Sequence, residues 1–142
     1  MKENTEALDE INKGCIMGMN AIDIISDKVS NDSFRKFLKK QYSGYEKISK
    51  KVNKIYKKYC VETPHEVSKM NEMMLLSDIE LNTITDSSDS KIAELLLKGI
   101  NMGIIDGRKI YNKKEVSEDV RGIISEYVVM QEEYVEKLKK YL

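Results

Sequence analysis

Two glutamines stand at positions where the surrounding pattern calls for apolar side chains. Gln41 and Gln131 each fall in phase with an apolar stripe of helical spacing, and Tyr45 and Tyr134 continue the same stripes. A buried amide that lacks a hydrogen-bond partner costs about 1–3 kcal/mol, so each glutamine should find a partner. One interpretation is a structural pair of amides, bonded to each other, to backbone or to water, that fixes helix register. The other is a small polar ligand held among the helices.

Asp106 is the acidic residue closest to such a stripe. It lies in the run IIDGR beside Gly107, although aspartate is a poor residue for a helix interior. It could pair with Arg108 or Lys109, or cap a local break at Gly107. The alternative is a carboxylate that binds a ligand.

Few residues could support catalysis. The chain holds one histidine, His65, which follows Pro64 at a predicted helix start, and two cysteines, Cys15 and Cys60. No nucleophile has a recognisable base beside it, and the cysteines have neither metal-site spacing nor the pattern of a disulfide framework. The sequence therefore predicts a non-enzymatic protein with no catalytic residue, metal or cofactor.

Composition favours a single helical domain. The chain has 142 residues, of which 41% are hydrophobic and 34% charged, with one proline and no tryptophan. Its 24 basic and 24 acidic residues balance, which makes nucleic acid an unlikely partner. The sequence shows no apolar run of membrane-spanning length and no signal-peptide pattern, so we expect a cytoplasmic protein.

Apolar periodicity predicts five helices arranged as an all-α bundle. Their predicted ranges are 5–29, 32–59, 63–85, 89–113 and 117–141. Short or capped connections join them, as in helical bundles.

A repeated motif relates the two halves of the chain. KGCIMG at 13–18 returns as KGINMG at 98–103, and VSND at 29–32 returns as VSED at 116–119. This predicts one domain, 1–142, made of two similar hairpins, 1–60 and 88–142, joined by a crossover helix, 63–85. Glycine inside a helix costs about 1 kcal/mol relative to alanine, so the repeated glycines should have a use. We expect them to let helix backbones approach closely, or else to make room for a ligand or metal; they are Gly14, Gly18, Gly99 and Gly103.

This arrangement resembles the ferritin-like four-helix-bundle proteins. The KG.IMGMNAI and KGINMGIID segments are also similar to those of helical proteins from low-GC Gram-positive anaerobes, including clostridia, and loosely to spore-coat-F-type ferritin-like proteins. The resemblance implies two hairpins running up, down, down, up around a bundle-length crossover, and permits association with the spore. Ferritin-like dimetal sites use Glu-x-x-His on two helices. No such motif occurs here, and Gln41 and Gln131 occupy the core midpoint, so the resemblance implies a bundle without its dimetal site.

The leading hypothesis is a helical-bundle protein that acts through protein–protein contacts or self-association. It depends on the apolar crossover helix, which has more apolar positions than one buried face needs. The candidate interface residues are Met70, Met73, Met74, Leu75 and Leu76.

Two alternatives stay open. A divergent metal- or redox-linked protein would need an unusual ligand set such as Asp106, Glu46 and Glu133. Binding to nucleic acid or an anionic surface would use the second helix, since residues 32–60 hold ten basic and two acidic residues. Residues 61–97, with eight acidic and two basic residues, are expected to neutralise that helix instead.

Overall fold

The computed structural model describes residues 2–59 and 86–142, and within them it contains four long α-helices and no strand. The predicted all-α class is confirmed. The predicted crossover helix, 63–85, lies outside the described residues, as do its interface residues. The helices are α1, Lys2–Ile25; α2, Asp32–Tyr59; α3, Asp89–Lys113; and α4, Glu118–Leu138.

Side-chain caps set the starts of α2 and α3. The Asn31 side chain accepts a hydrogen bond from the Phe34 backbone N–H at 2.9 Å, and Ser88 accepts one from Lys91 N–H at 3.2 Å. Such caps satisfy N–H groups that have no partner within the helix. The predicted ranges of these two helices, 32–59 and 89–113, agree with the structure.

The ends of α1 and α4 differ from the prediction by short 3₁₀ turns. Helix α1 gives way to a turn at Ser26–Lys28 and then to extended backbone at Val29, and α4 continues as a turn at Lys139–Tyr141. Val29 is nevertheless buried, which explains why the apolar periodicity runs past the true helix end. Helix termini tighten into 3₁₀ turns frequently.

Contacts at the two ends of the bundle give the helix directions. At one end the start of α1 meets the end of α3 through Glu6 and Lys114, whose charged atoms lie 2.8 Å apart. There the end of α2 also meets the start of α4, because the Tyr59 hydroxyl donates to Asp119 at 2.7 Å. At the other end the Asp89 carboxylate accepts from the Ser30 and Asn31 N–H groups. The order is therefore up, down, down, up, and the chain leaves α2 at one end and enters α3 at the other.

The core forms from the inward stripes of all four helices. Its largest fully buried apolar side chains include Leu8, Ile11, Phe34, Leu38 and Ile124. Burying a side chain of this size stabilises the fold by about 1.5–3 kcal/mol. Among the residues that the structure describes, four buried polar residues interrupt this core: Asn4, Asn12, Gln41 and Gln131.

The basic face of α2 is partly neutralised by α4. Lys51 lies 2.6 Å from Glu126 and Lys58 lies 2.8 Å from Asp119. The sequence predicts that acids in 61–97 have this role, and most of that stretch lies outside the described residues. In the part of the chain that the structure describes, no helix combines the length and apolarity needed to cross a membrane.

Candidate functional site

A chain of four hydrogen-bonding side chains crosses the bundle core between α2 and α4, and we call it the amide–tyrosine chain. Gln41 Nε2 donates to the Tyr45 hydroxyl at 3.4 Å, and that hydroxyl donates to Gln131 Oε1 at 2.5 Å. Gln131 Nε2 then donates to the Tyr127 hydroxyl at 3.1 Å. The two halves of the protein are thus joined through their cores by polar side chains.

The hydrogen bonds of the amide–tyrosine chain all point in the same direction, because each donor lies on the Gln41 side of its acceptor. Tyr45 has one hydroxyl proton, which it donates to Gln131 Oε1. Its oxygen can therefore only accept from Gln41. This order of donors leaves an acceptor at one end, Gln41 Oε1, which is buried and has no hydrogen-bond partner among the described residues. At the other end it leaves the Tyr127 O–H proton, because that oxygen already accepts from Gln131.

Burial keeps the ionisable groups of this core in their neutral forms. Loss of solvation raises the pKa values of Tyr45 and Tyr127 well above the ordinary value for tyrosine, and it raises the pKa of Tyr134 to about 12. It also raises the pKa of the Cys15 thiol to about 12. These groups can donate hydrogen bonds near neutral pH, but they do not supply a base or a thiolate.

Tyr134 supports the chain from α4. Its hydroxyl lies 3.5 Å from the backbone carbonyl oxygen of Gln41. Its ring meets the Tyr45 ring edge-on, with the ring centroids 5.7 Å apart. Edge-on packing of this kind is a favoured arrangement of aromatic pairs. Tyr134 therefore orients Tyr45 rather than extending the proton order.

Glycines of α1 and α3 provide space for these side chains. A Cβ atom at Gly18 would lie 2.5 Å from the Tyr45 ring, and one at Gly103 would lie 2.6 Å from Gln131 Nε2. A Cβ at Gly14 would collide with the Tyr127 hydroxyl. Such distances are shorter than any real Cβ contact, so alanine would displace the chain.

The sequence predicts close helix-backbone contact, or else room for a ligand or metal, at Gly14, Gly18, Gly99 and Gly103, and both remain predictions. Among the described residues, the atoms nearest an added Cβ at the first, second and fourth of these belong to side chains of α2 and α4, while Gly99 has no neighbour within 4 Å. Tyrosine is long enough to reach across the bundle and fill the space that a missing side chain leaves.

A cavity of about 420 Å³ lies between α1 and α3, over the amide–tyrosine chain. We call it the glycine cavity, because five glycines line it: Gly14, Gly18, Gly99, Gly103 and Gly107. All four members of the amide–tyrosine chain line it as well: Gln41, Tyr45, Tyr127 and Gln131. Two acidic and two basic residues complete its polar lining: Glu10, Lys13, Lys98 and Asp106.

The structure brings together most of the polar residues predicted from the sequence. The amide–tyrosine chain contains Gln41, Tyr45 and Gln131, and Tyr134 packs against it. Asp106 lines the glycine cavity and has an exposed side chain. Asp106 does not pair with Arg108, which binds Glu132 at 3.0 Å.

Sequence reasoning missed Tyr127. Its position in the apolar stripe of α4, four residues before Gln131, could have identified it, because residues four apart share a helix face.

The suggested metal ligands do not converge. Asp106, Glu46 and Glu133 are exposed and lie on three different helices. Across residues 2–59 and 86–142, no group of three or more His, Cys, Asp or Glu side chains could hold a metal ion. These three acids therefore do not form a shared site.

Comparison with protein-family models, with curated proteins and with solved structures finds no match. The site's chemistry follows from its own residues: its buried side chains can donate and accept hydrogen bonds next to a cavity.

Proposed function

We propose that this chain is a non-enzymatic helical-bundle protein that acts through protein–protein contacts, and that its first partner is a second copy of itself. The absence of an enzymatic role is supported by the core chemistry, since its tyrosines and its buried thiol are held in their neutral forms. A group that stays protonated at neutral pH serves recognition or packing better than acid–base work.

The observation that carries the self-association proposal is an exposed apolar pair on α3, Met102 and Ile105, of which Met102 also lines the glycine cavity. Met102 is 67% exposed and Ile105 is 53% exposed, and their spacing of three residues places them side by side. Large apolar side chains exposed next to each other are typical of contact surfaces. Methionine suits such a surface because its flexible side chain adapts to the facing partner.

A second copy fits this face because its surroundings carry both charge signs. In a twofold contact the same patch meets itself, so each acidic residue needs a basic residue within reach on the same surface. Asp106 and Lys109 lie beside the apolar pair, and both are exposed. Two copies could therefore meet without facing like charges.

Light scattering after size exclusion tests this proposal. We expect wild type to form a dimer at micromolar concentration and the double variant Met102→Glu, Ile105→Glu to be monomeric. Val129→Glu is the matched control, because Val129 is 47% exposed but lies on α4. A monomeric wild-type protein, or equal dissociation by the Val129 control, would refute self-association through α3.

The ferritin-like architecture and the crossover helix form part of the same proposal. They are supported by the up, down, down, up order of the described helices and by the repeated glycine motif. A cytoplasmic or spore-associated location is proposed with them. Metal analysis of protein purified without chelator checks the proposed loss of the dimetal site, for which we expect substoichiometric iron, manganese and zinc.

A further inference from the structure

The outer face of α2 carries one straight row of lysines, and we infer that this row binds the phosphate backbone of a double-stranded nucleic acid without reading its base sequence. We call it the lysine ridge, and its members are Lys36, Lys40, Lys47, Lys50, Lys54 and Lys57. Successive members are three, four or seven residues apart, which places them on one face of the helix.

The lysine ridge is exposed and its charges are mostly unpaired. All six lysines are exposed, on the face opposite to the buried stripe that holds Tyr45, Ile48 and Val52. Lys50 lies 3.4 Å from Glu46, and the other five form no ion pair with any residue in 2–59 or 86–142. At 1.5 Å per residue the ridge is about 31 Å long, with one positive charge about every 6 Å. A strand of B-DNA has a phosphate about every 3.4 Å, so each lysine has a phosphate within its reach.

Acidic residues border the lysine ridge on the side of α4. Lys51 and Lys58, which lie beside the ridge, approach Glu126 to 2.6 Å and Asp119 to 2.8 Å. These ion pairs neutralise that flank, so the uncompensated positive charge is confined to the ridge.

The opposite flank, towards α1, also carries both charge signs. Asp23 and Asp27 line a cavity of about 330 Å³ together with Arg35 and Lys39. The basic surface is therefore about one helix wide, roughly 10 Å. A linear polyanion can touch such a ridge without meeting the acids on either side, whereas a flat anionic membrane would be brought against them. The apolar face that a helix needs to enter a membrane surface is buried in the core.

The residue types of the lysine ridge favour contact with a duplex and its phosphates. The ridge contains no aromatic residue on which the bases of a single strand could stack. It also contains no arginine, the residue that most often reads guanine through paired hydrogen bonds. Arg35, near the start of α2, donates to the Val29 and Ser30 carbonyl oxygens at 3.0 and 3.2 Å. Lysine ammonium groups bind phosphate as point charges, so we expect binding that is independent of sequence.

The balanced net charge of the chain does not oppose this binding. The Debye length is about 8 Å at physiological ionic strength, so a bound polyanion interacts mainly with the charges near the ridge. The lysine ridge shares no residue with the exposed apolar pair of α3 or with the glycine cavity. This inference and self-association can therefore fail separately.

Fluorescence anisotropy with a labelled DNA duplex of about two helical turns, roughly 20 bp, tests the inference. We expect a Kd on the order of 1 µM at about 50 mM salt, and two duplexes of unrelated sequence should agree within about 2-fold. If about four phosphates are neutralised, affinity should fall roughly 50-fold when salt is raised to about 150 mM. A single strand of the same length should bind at least about 5-fold more weakly. An RNA duplex of the same sequence is the parallel probe, and the tighter of the two identifies the natural duplex.

A pair of double variants locates the contact on α2. Lys47→Gln, Lys54→Gln removes two central charges and should weaken duplex binding by about 10-fold at low salt, with a salt slope reduced by about 2. Lys98→Gln, Lys113→Gln makes the same charge change at exposed positions of α3 and should alter the Kd by less than about 2-fold. Glutamine keeps the helix propensity of lysine, so all four positions should leave the circular dichroism spectrum and the urea midpoint unchanged.

Four results would overturn the inference. The first is no saturable anisotropy change with either duplex at about 50 mM salt. The second is equal weakening by the ridge variant and the α3 control. The third is equal affinity for duplex and single strand. The fourth is tighter binding to vesicles of phosphatidylserine and phosphatidylcholine than to the duplex at the same salt, which would identify a membrane surface as the partner instead.

Discussion

Two glycines of the repeated motif should respond in opposite ways to the same added methyl group. Gly18 of α1 faces the Tyr45 ring, and three ring atoms would lie within 2.9 Å of the added methyl carbon. At Gly99 of α3 no atom of residues 2–59 or 86–142 would lie within 4 Å of it. Both lie inside long helices, so alanine gains about 1 kcal/mol of helix propensity at each. Only the surroundings differ.

The expected free energies of unfolding follow from this difference. At Gly99 nothing offsets the propensity gain, so Gly99→Ala should stabilise the protein by about 0.5–1 kcal/mol. At Gly18 the buried Tyr45 ring must move, which costs about 1–3 kcal/mol of overpacking. Moving it also strains the Tyr45–Gln131 hydrogen bond, worth about 1 kcal/mol. Gly18→Ala should therefore destabilise by about 1–3 kcal/mol net.

Urea unfolding, monitored by circular dichroism, measures the change in unfolding free energy of both variants. For a chain of 142 residues, each kcal/mol corresponds to about 3 °C in Tm, so the two variants should differ by roughly 5–12 °C. Equal stabilisation by both alanines would refute the placement of Tyr45 over Gly18. Equal destabilisation would mean that Gly99 also packs against something.

The remaining predictions concern titration and thiol chemistry. Hydrogen bonds from Lys58, Ser117 and Tyr59 hold the pKa of Asp119 below its ordinary value, so this carboxylate stabilises the fold above about pH 4 and loses its effect as pH falls below that. Asp119→Asn should cost about 1 kcal/mol at pH 7, and this difference, measured by urea unfolding, should shrink progressively as pH falls below about 4; a constant difference at all pH values would contradict this. Burial raises the pKa of Cys15 to about 12. The thiol therefore ionises at a lower pH in the unfolded protein than in the folded protein, and the free energy of unfolding falls as pH rises above about 9. Cys15→Ala should reduce the slope of this decrease in stability by up to about 1.4 kcal/mol per pH unit. The same dependence of stability on alkaline pH in wild type and variant would count against this prediction. In a Cys60→Ser background, Cys15 should resist a thiol reagent at pH 8 until the protein unfolds globally; rapid labelling of folded protein would show that Cys15 is accessible.

The helices could be predicted from the sequence because their signals are local. The apolar stripe and the caps of α2 and α3 lie within a few residues of each helix end, so both predicted ranges agree with the structure. The 3₁₀ turn at Ser26–Lys28 could not be separated from α1, because Val29 is buried and continues the apolar pattern.

The buried glutamines were also predictable, since their position in apolar stripes implies burial. Their partners were not, because Tyr45 and Gln131 are 86 positions apart and meet only when α2 and α4 pack together. The side chains that lie against the glycines were not predictable, for the same reason. Space beside Gly14 is filled by Tyr127 of a different helix, and nothing near Gly14 in the sequence indicates which side chain arrives there.

Tyr45 and Gln131 join the two halves of the bundle through a buried hydrogen bond. A double-mutant cycle with Tyr45→Phe and Gln131→Leu, read by urea unfolding, measures their coupling directly. The distance of 2.5 Å between the Tyr45 hydroxyl oxygen and Gln131 Oε1, together with the burial of both residues, predicts a coupling energy of about 1–3 kcal/mol. Additive effects, with a coupling energy near zero, would contradict a stabilising hydrogen bond between these two side chains.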